Sequence, residues 1–325
     1  MQKEKIMLNE KVWGFMLQLS DHMWEDENSV RGDWYITKKY CENIDTELPV
    51  WDKTVAFLGE RKFNLVLIDV GDGLKYESHP EVSAPNAWDK DFLKKKLDEM
   101  RALGLEPIPK LNFSAGHDTW MKKYRRMIST PEYYTFCADV IKEVCEVFGY
   151  PRFFHLGCDE EIASMQKTHE MITIRGKDLW WHDFFFLCRE CEKYGARPWI
   201  WSDYLWHNEE LFLQNMPKSI IQSNWYYQPF SNWKGSIYVH RDRPIACYEL
   251  LDKHGYDQIP TGSTWSCTQN LYQTMAHGKE KLSDEHVVGY LTAPWLHTIE
   301  ENLYGLYCEA DRFYVARKKV YPESL

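Results

Sequence analysis

The chain has 325 residues, of which 44% are hydrophobic and 27% are charged, a composition typical of a globular protein with a sizeable core. Its formal net charge of −10 argues against a nucleic acid or an anionic membrane as the partner, because both attract a basic face. The 15 Trp, 20 Tyr and 15 Phe exceed what packing alone requires, and flat aromatic faces of this kind also bind ring-shaped ligands.

The N-terminal residues 1–10 are charged and contain no apolar stretch of the kind found in secretion signals. No window approaches eighteen apolar residues, so no membrane-spanning helix is predicted. We therefore expect a cytoplasmic protein, or a secreted one if a signal peptide has been removed.

Nine cysteines, an odd number, fit reduced thiols, and the spacing of Cys188 and Cys191 in a helical pattern favours two core thiols over a metal or redox site.

Apolar runs alternate with helical patterns along the whole chain. Strands are predicted at residues 12–19, 63–68, 105–113, 153–160, 197–201, 219–224, 258–265 and 287–292. Helices are predicted at residues 49–61, 89–103, 130–148, 178–194, 244–254 and 299–319. The early strands are almost continuously apolar, which indicates strands buried on both faces. This alternation predicts an α/β protein, a single (β/α)8 TIM barrel over residues 1–325.

Barrels of this kind carry their functional sites at the C-terminal ends of the strands. Thirteen polar or aromatic residues follow the predicted strands and should converge on one mouth: Asp21, His22, Asp69, Asp72, His117, Asp159, Glu160, Asp203, Trp225, Tyr226, Trp265, Trp295 and His297. Turns after strands are polar in any case, so each residue taken singly has a structural explanation. Thirteen together favour a site.

The fourth predicted strand delivers two consecutive carboxylates, Asp159 and Glu160. Consecutive residues of a strand point to opposite faces, so the two acids share a pocket only if the chain turns, and Gly157 permits a turn. The alternative is that Asp159, Glu160 and Glu161 are acids at the start of a helix. Two carboxylates at one site are what cleavage of a glycosidic bond requires.

The segment His155-Leu156-Gly157-Cys158-Asp159-Glu160 is similar to the His-x-Gly-Gly-Asp-Glu motif of glycoside hydrolase family 20, the β-N-acetylhexosaminidases. The likeness extends over residues 12–300, at the level of a divergent relative. Residues 64–69, with 73–77 and 79–82, resemble the second-strand segment of that family. Residues 104–109, with Gly116-His117, resemble its third strand. Trp201-Ser202-Asp203 resembles its fifth strand, and residues 289–295 resemble its eighth.

The resemblance implies a retaining, substrate-assisted hydrolysis of β-linked N-acetylhexosaminides, and a role in carbohydrate metabolism. The substrate's 2-acetamido oxygen attacks the anomeric carbon, Glu160 protonates the leaving group and then activates water, and Asp159 orients the acetamido group. Neither a cofactor nor a metal is implied. Other residues that the resemblance places around the sugar are His117, Asp69 or Asp72, Asp203, Trp201, Trp225, Trp265 and Trp295.

The chain also departs from that family, mostly where the sugar is recognised. Asp21 and His22 stand where an Arg usually ends the first strand, and His297 stands where a Glu follows Trp295. Cys158 replaces the second motif glycine. Strand seven offers Ser263-Thr264-Trp265 instead of the usual Asp and Tyr, so we expect Tyr226 or Tyr227 to supply the tyrosine.

Three other functions fit parts of the sequence. A glycosidase with a protein nucleophile would use Asp69 or Asp203, and a carbohydrate-binding barrel would lack turnover. A barrel metal hydrolase would draw its ligands from His22, His117, His155, Asp203 and His297. The exact sugar, exo or endo action and the oligomeric state are left open by the sequence.

Overall fold

The structure is a computed structural model that describes residues 11–24, 41–167, 169–230 and 242–325, so the charged residues 1–10 lie outside it. The described residues form one eight-stranded sheet. Its strands are β1 (Val12–Gln18), β2 (Leu65–Asp69), β3 (Glu106–Lys110), β4 (Phe153–His155), β5 (Arg197–Trp201), β6 (Ile221–Ser223), β7 (Thr261–Gly262) and β8 (Gly289–Thr292).

All the strand pairings are parallel, and the sheet closes on itself. β1 pairs with β2 on one side and with β8 on the other, where Val12 lies opposite Gly289. Between β6 and β7 the circle is completed by isolated bridges, Gln222 to Gln258 and Trp225 to Thr261. The prediction of a (β/α)8 barrel is confirmed.

Helices follow the strands and cover the outside of the barrel. They are α1 (Leu48–Glu60), α2 (Lys90–Ala102), α3 (Pro131–Val147), α4 (Lys177–Lys193), α5 (Tyr204–His207), α6 (Glu209–Asn215), α7 (Asp242–Lys253), α8 (Asn270–Lys281) and α9 (Leu303–Val320). The side chain of Asp89 caps α2 by accepting the Phe92 amide at 2.8 Å, and Thr130 precedes the N-terminal proline of α3. Among the described residues, no helix combines the length and the apolar character needed to cross a bilayer.

The core lies between the barrel and its helices, which explains the continuous apolar runs. Every residue of β1 and β2 is buried. Trp13 of β1 stacks on Tyr290 of β8 at 5.9 Å and meets Phe313 of α9 edge-on at 6.4 Å. Each such fully buried side chain contributes about 1.5–3 kcal/mol of hydrophobic free energy, so the outer helices are fixed to the strands that position the mouth.

The second half of the barrel differs most from the predicted elements. Strand seven was predicted over residues 258–265, but only Thr261 and Gly262 form a strand. Residues 258–260 and Ser263 are buried outside it, and Trp265 is exposed. Helix α8 was not predicted, because its sequence is largely polar and contains Gly278, a poor helix former. That glycine is required by packing, since a Cβ there would lie 2.3 Å from the Tyr290 hydroxyl.

Candidate active site

The acid pair lies in a loop that turns sharply after β4. The strand ends at His155, and Gly157, Cys158 and Glu160 then have left-handed φ angles of 70°, 69° and 52°. These turns bring both carboxylates to one imidazole: His117 Nε2 lies 3.4 Å from an oxygen of Asp159 and 3.3 Å from one of Glu160. The acids do not start a helix, because α4 begins only at Lys177.

The motif glycine is fixed by a close approach of two strand ends. A Cβ at Gly157 would lie 2.0 Å from the side-chain oxygen of Asn112, which follows β3. Cys158 also has a left-handed backbone, so the glycine that the family motif has here is explained by conformation. A cysteine adopts that conformation at a cost of about 1–2 kcal/mol.

Asp159 is held rigidly. Its carboxylate accepts a hydrogen bond from Asn112 Nδ2 at 2.8 Å, and the Ser114 hydroxyl donates to its main-chain carbonyl. Only 7% of the side chain is exposed. Its second oxygen, which faces His117, is therefore presented in a fixed direction.

Glu160 is the more accessible acid, with 26% of its side chain exposed. Its backbone amide donates to Asp203 Oδ2 at 2.8 Å, which ties the β4 loop to the end of β5. A buried, fixed carboxylate thus stands beside a partly exposed one, and the two are suited to different tasks.

His117 connects the two acids. Its burial disfavours the imidazolium, but the charges of Asp159 and Glu160 outweigh that effect and raise the pKa of His117 above its ordinary value. Trp24 meets the imidazole edge-on at 4.6 Å. A protonated His117 donates toward the acids and stabilises their charged forms.

Asp203 and Asp69 do not have the environment of nucleophiles. Burial, and next the charge of Asp159, raise the pKa of Asp203 to about 8, although the Glu160 amide and the Trp225 indole, 3.3 Å away, donate to it. Asp203 is therefore mostly protonated at neutral pH. Asp69 forms an ion pair with Lys110 inside the barrel, where both side chains are buried.

Tryptophans enclose the space above the acid pair. Trp295 lies 5.4 Å from Trp24 and 6.0 Å from Trp201, and Trp225 stacks on Tyr227 at 5.2 Å. Trp265, by contrast, is 39% exposed, in the loop after β7. The aromatic wall is thus formed after strands β1, β5, β6 and β8.

The structure separates the two candidate tyrosines. Burial raises the pKa of Tyr227, and so do the charges of Asp159 and Glu160, because its hydroxyl lies near them. Tyr226 packs its ring edge-on against Phe230 at 5.5 Å.

Across the mouth, the ends of β8 and β1 carry a cluster of charges. His297 Nδ1 lies 2.8 Å from Asp21 and 3.0 Å from Asp45. Burial opposes the imidazolium, but hydrogen bonds to these two carboxylates raise the pKa of His297 to about 9. The cluster is therefore a protonated histidine held between two acids.

The carboxylate of Asp72, just after the end of β2, contacts three donor groups in the same region. The Ser20 hydroxyl donates to it at 2.6 Å, His22 Nδ1 lies 2.9 Å away and Lys122 Nζ lies 3.0 Å away. These partners lower the pKa of Asp72 despite its burial. Burial opposes the imidazolium of His22, but Asp72 and Asp21 outweigh it and raise the pKa of His22.

The predicted metal-hydrolase ligands do not form one group. His155 Nδ1 accepts the Gly157 amide at 3.0 Å, and burial lowers its pKa well below the ordinary value. Two smaller groups of described residues have ligand atoms within 4.8 Å of one another: Asp21, Asp45 and His297, and His117, Asp159 and Glu160. In both, the histidine already bridges the two acids.

Several residues of the site were not predicted. Lys110, Asn112 and Ser114 lie in or just beyond β3, while Trp24 and Asp45 lie between β1 and α1. Asn112 and Lys110 fell inside a predicted strand, and their polar character within it was the available signal. Nothing in the sequence marked Asp45 or Trp24.

The fold resembles several solved structures. The β-N-acetylhexosaminidase from Bacteroides fragilis NCTC 9343 aligns with a TM-score of 0.61 at 14% identity, over 97% of this chain and 71% of its own. The GH20 exo β-N-acetylglucosaminidase from Vibrio harveyi, in complex with N-acetylglucosamine, has a TM-score of 0.59 at 13% identity, over 97% and 58%. The chitobiase from Flavobacterium johnsoniae has a TM-score of 0.61 at 15% identity, over 97% and 50%.

The chain shares the barrel fold of the GH20 β-N-acetylhexosaminidases. The resemblance in the acid-pair motif is therefore matched by a structural likeness over 97% of the chain. The alignments cover 71%, 58% and 50% of the lengths of these three proteins. The sequence of the chain matches no protein-family model and no curated protein.

Proposed function

We propose that this protein is a glycoside hydrolase that cleaves β-linked N-acetylhexosaminides by a retaining, substrate-assisted mechanism. The observation that carries the proposal is the placement of Asp159 and Glu160 on one imidazole, His117, at the mouth of a GH20-like barrel. The structural neighbours, one of them in complex with N-acetylglucosamine, support an amino sugar as substrate.

The two acids have different roles in the proposed reaction, and their different exposures fit these roles. Glu160, partly exposed, is placed to protonate the glycosidic oxygen as the bond breaks and then to take a proton from the attacking water. Asp159, buried and oriented by Asn112, accepts a hydrogen bond from the acetamido N–H, so that the acetamido oxygen attacks the anomeric carbon. The aromatic wall excludes water and packs against the sugar.

No protein nucleophile is needed in this scheme, and the site offers a poor one. Asp203 is mostly protonated at neutral pH because its pKa is raised to about 8, and a carboxylic acid is a weak nucleophile. Asp69 is paired with Lys110. Tyr227, near both acids, is placed to hydrogen-bond the acetamido oxygen.

Hydrolysis of p-nitrophenyl N-acetyl-β-glucosaminide, compared with the glucoside that lacks the acetamido group, tests the proposal. We expect turnover of the first substrate alone. Glu160→Gln and Asp159→Asn should each lower kcat by roughly 10²–10⁴-fold, the usual contribution of a general acid or an essential orienting group. Glu170→Gln, an acid-to-amide change elsewhere in the same loop, should keep the native rate.

Equal rates on both substrates would favour a protein nucleophile. Saccharide binding without turnover would identify a binding barrel. Full activity in both site variants, with an active native enzyme, would place the chemistry elsewhere.

A further inference from the structure

The carboxylate of Glu161, next to Glu160, joins two loops of the site. It accepts the backbone amide of Ala115 at 3.1 Å, and Ala115 lies two residues before His117. It also receives both the Nε of Arg175, at 2.7 Å, and one of its terminal nitrogens. One side chain thus links the acid-pair loop to the His117 loop.

Arg175 is enclosed by the protein and satisfied on several sides. Only 3% of its side chain is exposed. Besides Glu161 it donates to Asp183 of α4 at 3.2 Å and to the Phe113 carbonyl after β3 at 3.3 Å. Asp183 in turn accepts the Ser129 hydroxyl at 2.6 Å, just before α3. The guanidinium therefore ties the β3 and β4 loops to two outer helices.

This network is hard to explain as a source of stability. Burying three charged groups carries a large desolvation cost, and buried ion pairs commonly contribute no more than apolar residues of the same volume. A geometric role accounts for it better, since the network ends one residue from Glu160.

Glu160 needs such support. Its left-handed backbone costs on the order of 1–3 kcal/mol and persists only where the surroundings impose it. It also lies at the root of the loop between β4 and α4, and Arg175 lies at the other end of that loop. The Glu161–Arg175 pair closes the loop at its base, directly beside Glu160.

We propose that Arg175, acting through Glu161, is a positioning residue that sets the distance between Glu160 and His117. The kinetic part of this inference rests on the proposed function, because it takes Glu160 as the general acid. The geometric part does not, since the approach of His117 to the carboxylates is a property of the free protein.

Two variants test the role in the full chain. Arg175→Lys keeps the charge but loses the forked contact, and Glu161→Gln keeps the shape but loses the ion pair. With an N-acetyl-β-glucosaminide, each should lower kcat by roughly 10- to 100-fold, because small displacements of a catalytic group are costly. KM should change little. Arg317→Lys is the matched control, a buried arginine on α9 that binds the Lys62 carbonyl and Ser324.

The second readout needs no substrate. The titration of His117, followed by NMR in histidine-labelled protein and assigned with His117→Gln, should shift to lower pH in Arg175→Lys and Glu161→Gln, because Glu160 moves away from the imidazole. It should be unchanged in Arg317→Lys.

An unchanged His117 midpoint in both site variants would overturn the proposal, as would equal losses of kcat in Arg175→Lys and Arg317→Lys. If the native protein cleaves no N-acetylhexosaminide but the His117 midpoint shifts, Arg175 is a positioning residue and the proposed reaction is wrong.

Discussion

The two sides of the barrel mouth are built differently. Around the ends of β3, β4 and β5, backbone and amide hydrogen bonds hold Asp159 and Glu160, with Asn112, Ser114 and Asp203 as their partners. Around the ends of β8, β1 and β2, the corresponding side chains are held by charged partners: His297 by Asp21 and Asp45, and Asp72 by His22 and Lys122. We call the first, where the proposed reaction would take place, the reaction side, and the second the far side.

The strand order puts them opposite each other, since β4 and β8 are four strands apart in either direction. A sugar lying across the mouth would have its scissile bond at the reaction side and its remote hydroxyls at the far side. The sequence resemblance follows the same division, because the acid-pair motif is kept while Asp21 and His297 depart from the family. The reaction is therefore easier to assign than the sugar.

The largest effect should come from the backbone of the reaction side. Gly157→Ala combines a left-handed φ with a Cβ placed 2.0 Å from Asn112 Oδ1 and 2.9 Å from its Cα. We expect a loss of roughly 4 kcal/mol or more in the free energy of unfolding, measured by denaturant titration. Gly104→Ala, at a similar φ with no atom within 4 Å, should lose only about 1 kcal/mol. Equal losses would show that no close approach constrains this turn.

The charged cluster on the far side should make the free energy of unfolding depend on pH. The pKa of His297 is raised from 6.5 to about 9, so its contribution to stability is complete below pH 6.5 and is lost as the pH rises through about 9. The native free energy of unfolding should fall by up to about 3 kcal/mol over this range relative to His297→Gln. The exposed His254→Gln should keep the native slope. Parallel curves for native protein and His297→Gln would mean that the Asp21–His297–Asp45 cluster carries no net charge interaction.

The smallest effect should come from Asp203→Asn on the reaction side. The amide oxygen still accepts the Glu160 backbone N–H, and only the longer bond from the Trp225 indole, at 3.3 Å, loses its acceptor. A group that is mostly protonated at neutral pH also changes little in charge by becoming an amide. We expect kcat to change by less than about tenfold, a small fraction of what removing a nucleophile costs. A loss as large as that of Glu160→Gln would identify Asp203 as the nucleophile and remove the distinction between it and the acid pair.

Apolar periodicity predicted the barrel because its strands are buried on both faces, as β1 and β2 show. It failed at β7, where residues 258–263 are buried but only Thr261 and Gly262 form a strand, and at α8, where Gly278 is present for the packing of Tyr290. Asp159, Glu160 and His117 could be chosen as candidates because they follow predicted strands, whereas Trp24, which packs against His117, had no such signal.

The partners of those residues were not predictable, since they depend on register between distant segments. Lys110 meets Asp69 because β2 and β3 place these two residues opposite each other. Asn112 reaches Asp159 only because Gly157 lets two strand ends approach. The choice between Tyr226 and Tyr227 likewise required the direction of each side chain after β6.

β6 and β7 are joined by isolated bridges, so the strand pairing of the closed barrel is least regular at this junction. One of them pairs Trp225 with Thr261, and the Trp225 indole donates to the same carboxyl group, Asp203, that holds the Glu160 amide. Local opening of the barrel at this junction would therefore disturb Asp203 and, through it, the backbone of Glu160 on the reaction side. We expect the Thr261 amide, which donates to Asn224 at 3.0 Å, to exchange with solvent deuterium faster than the amides of β1 and to slow when a saccharide binds across the mouth.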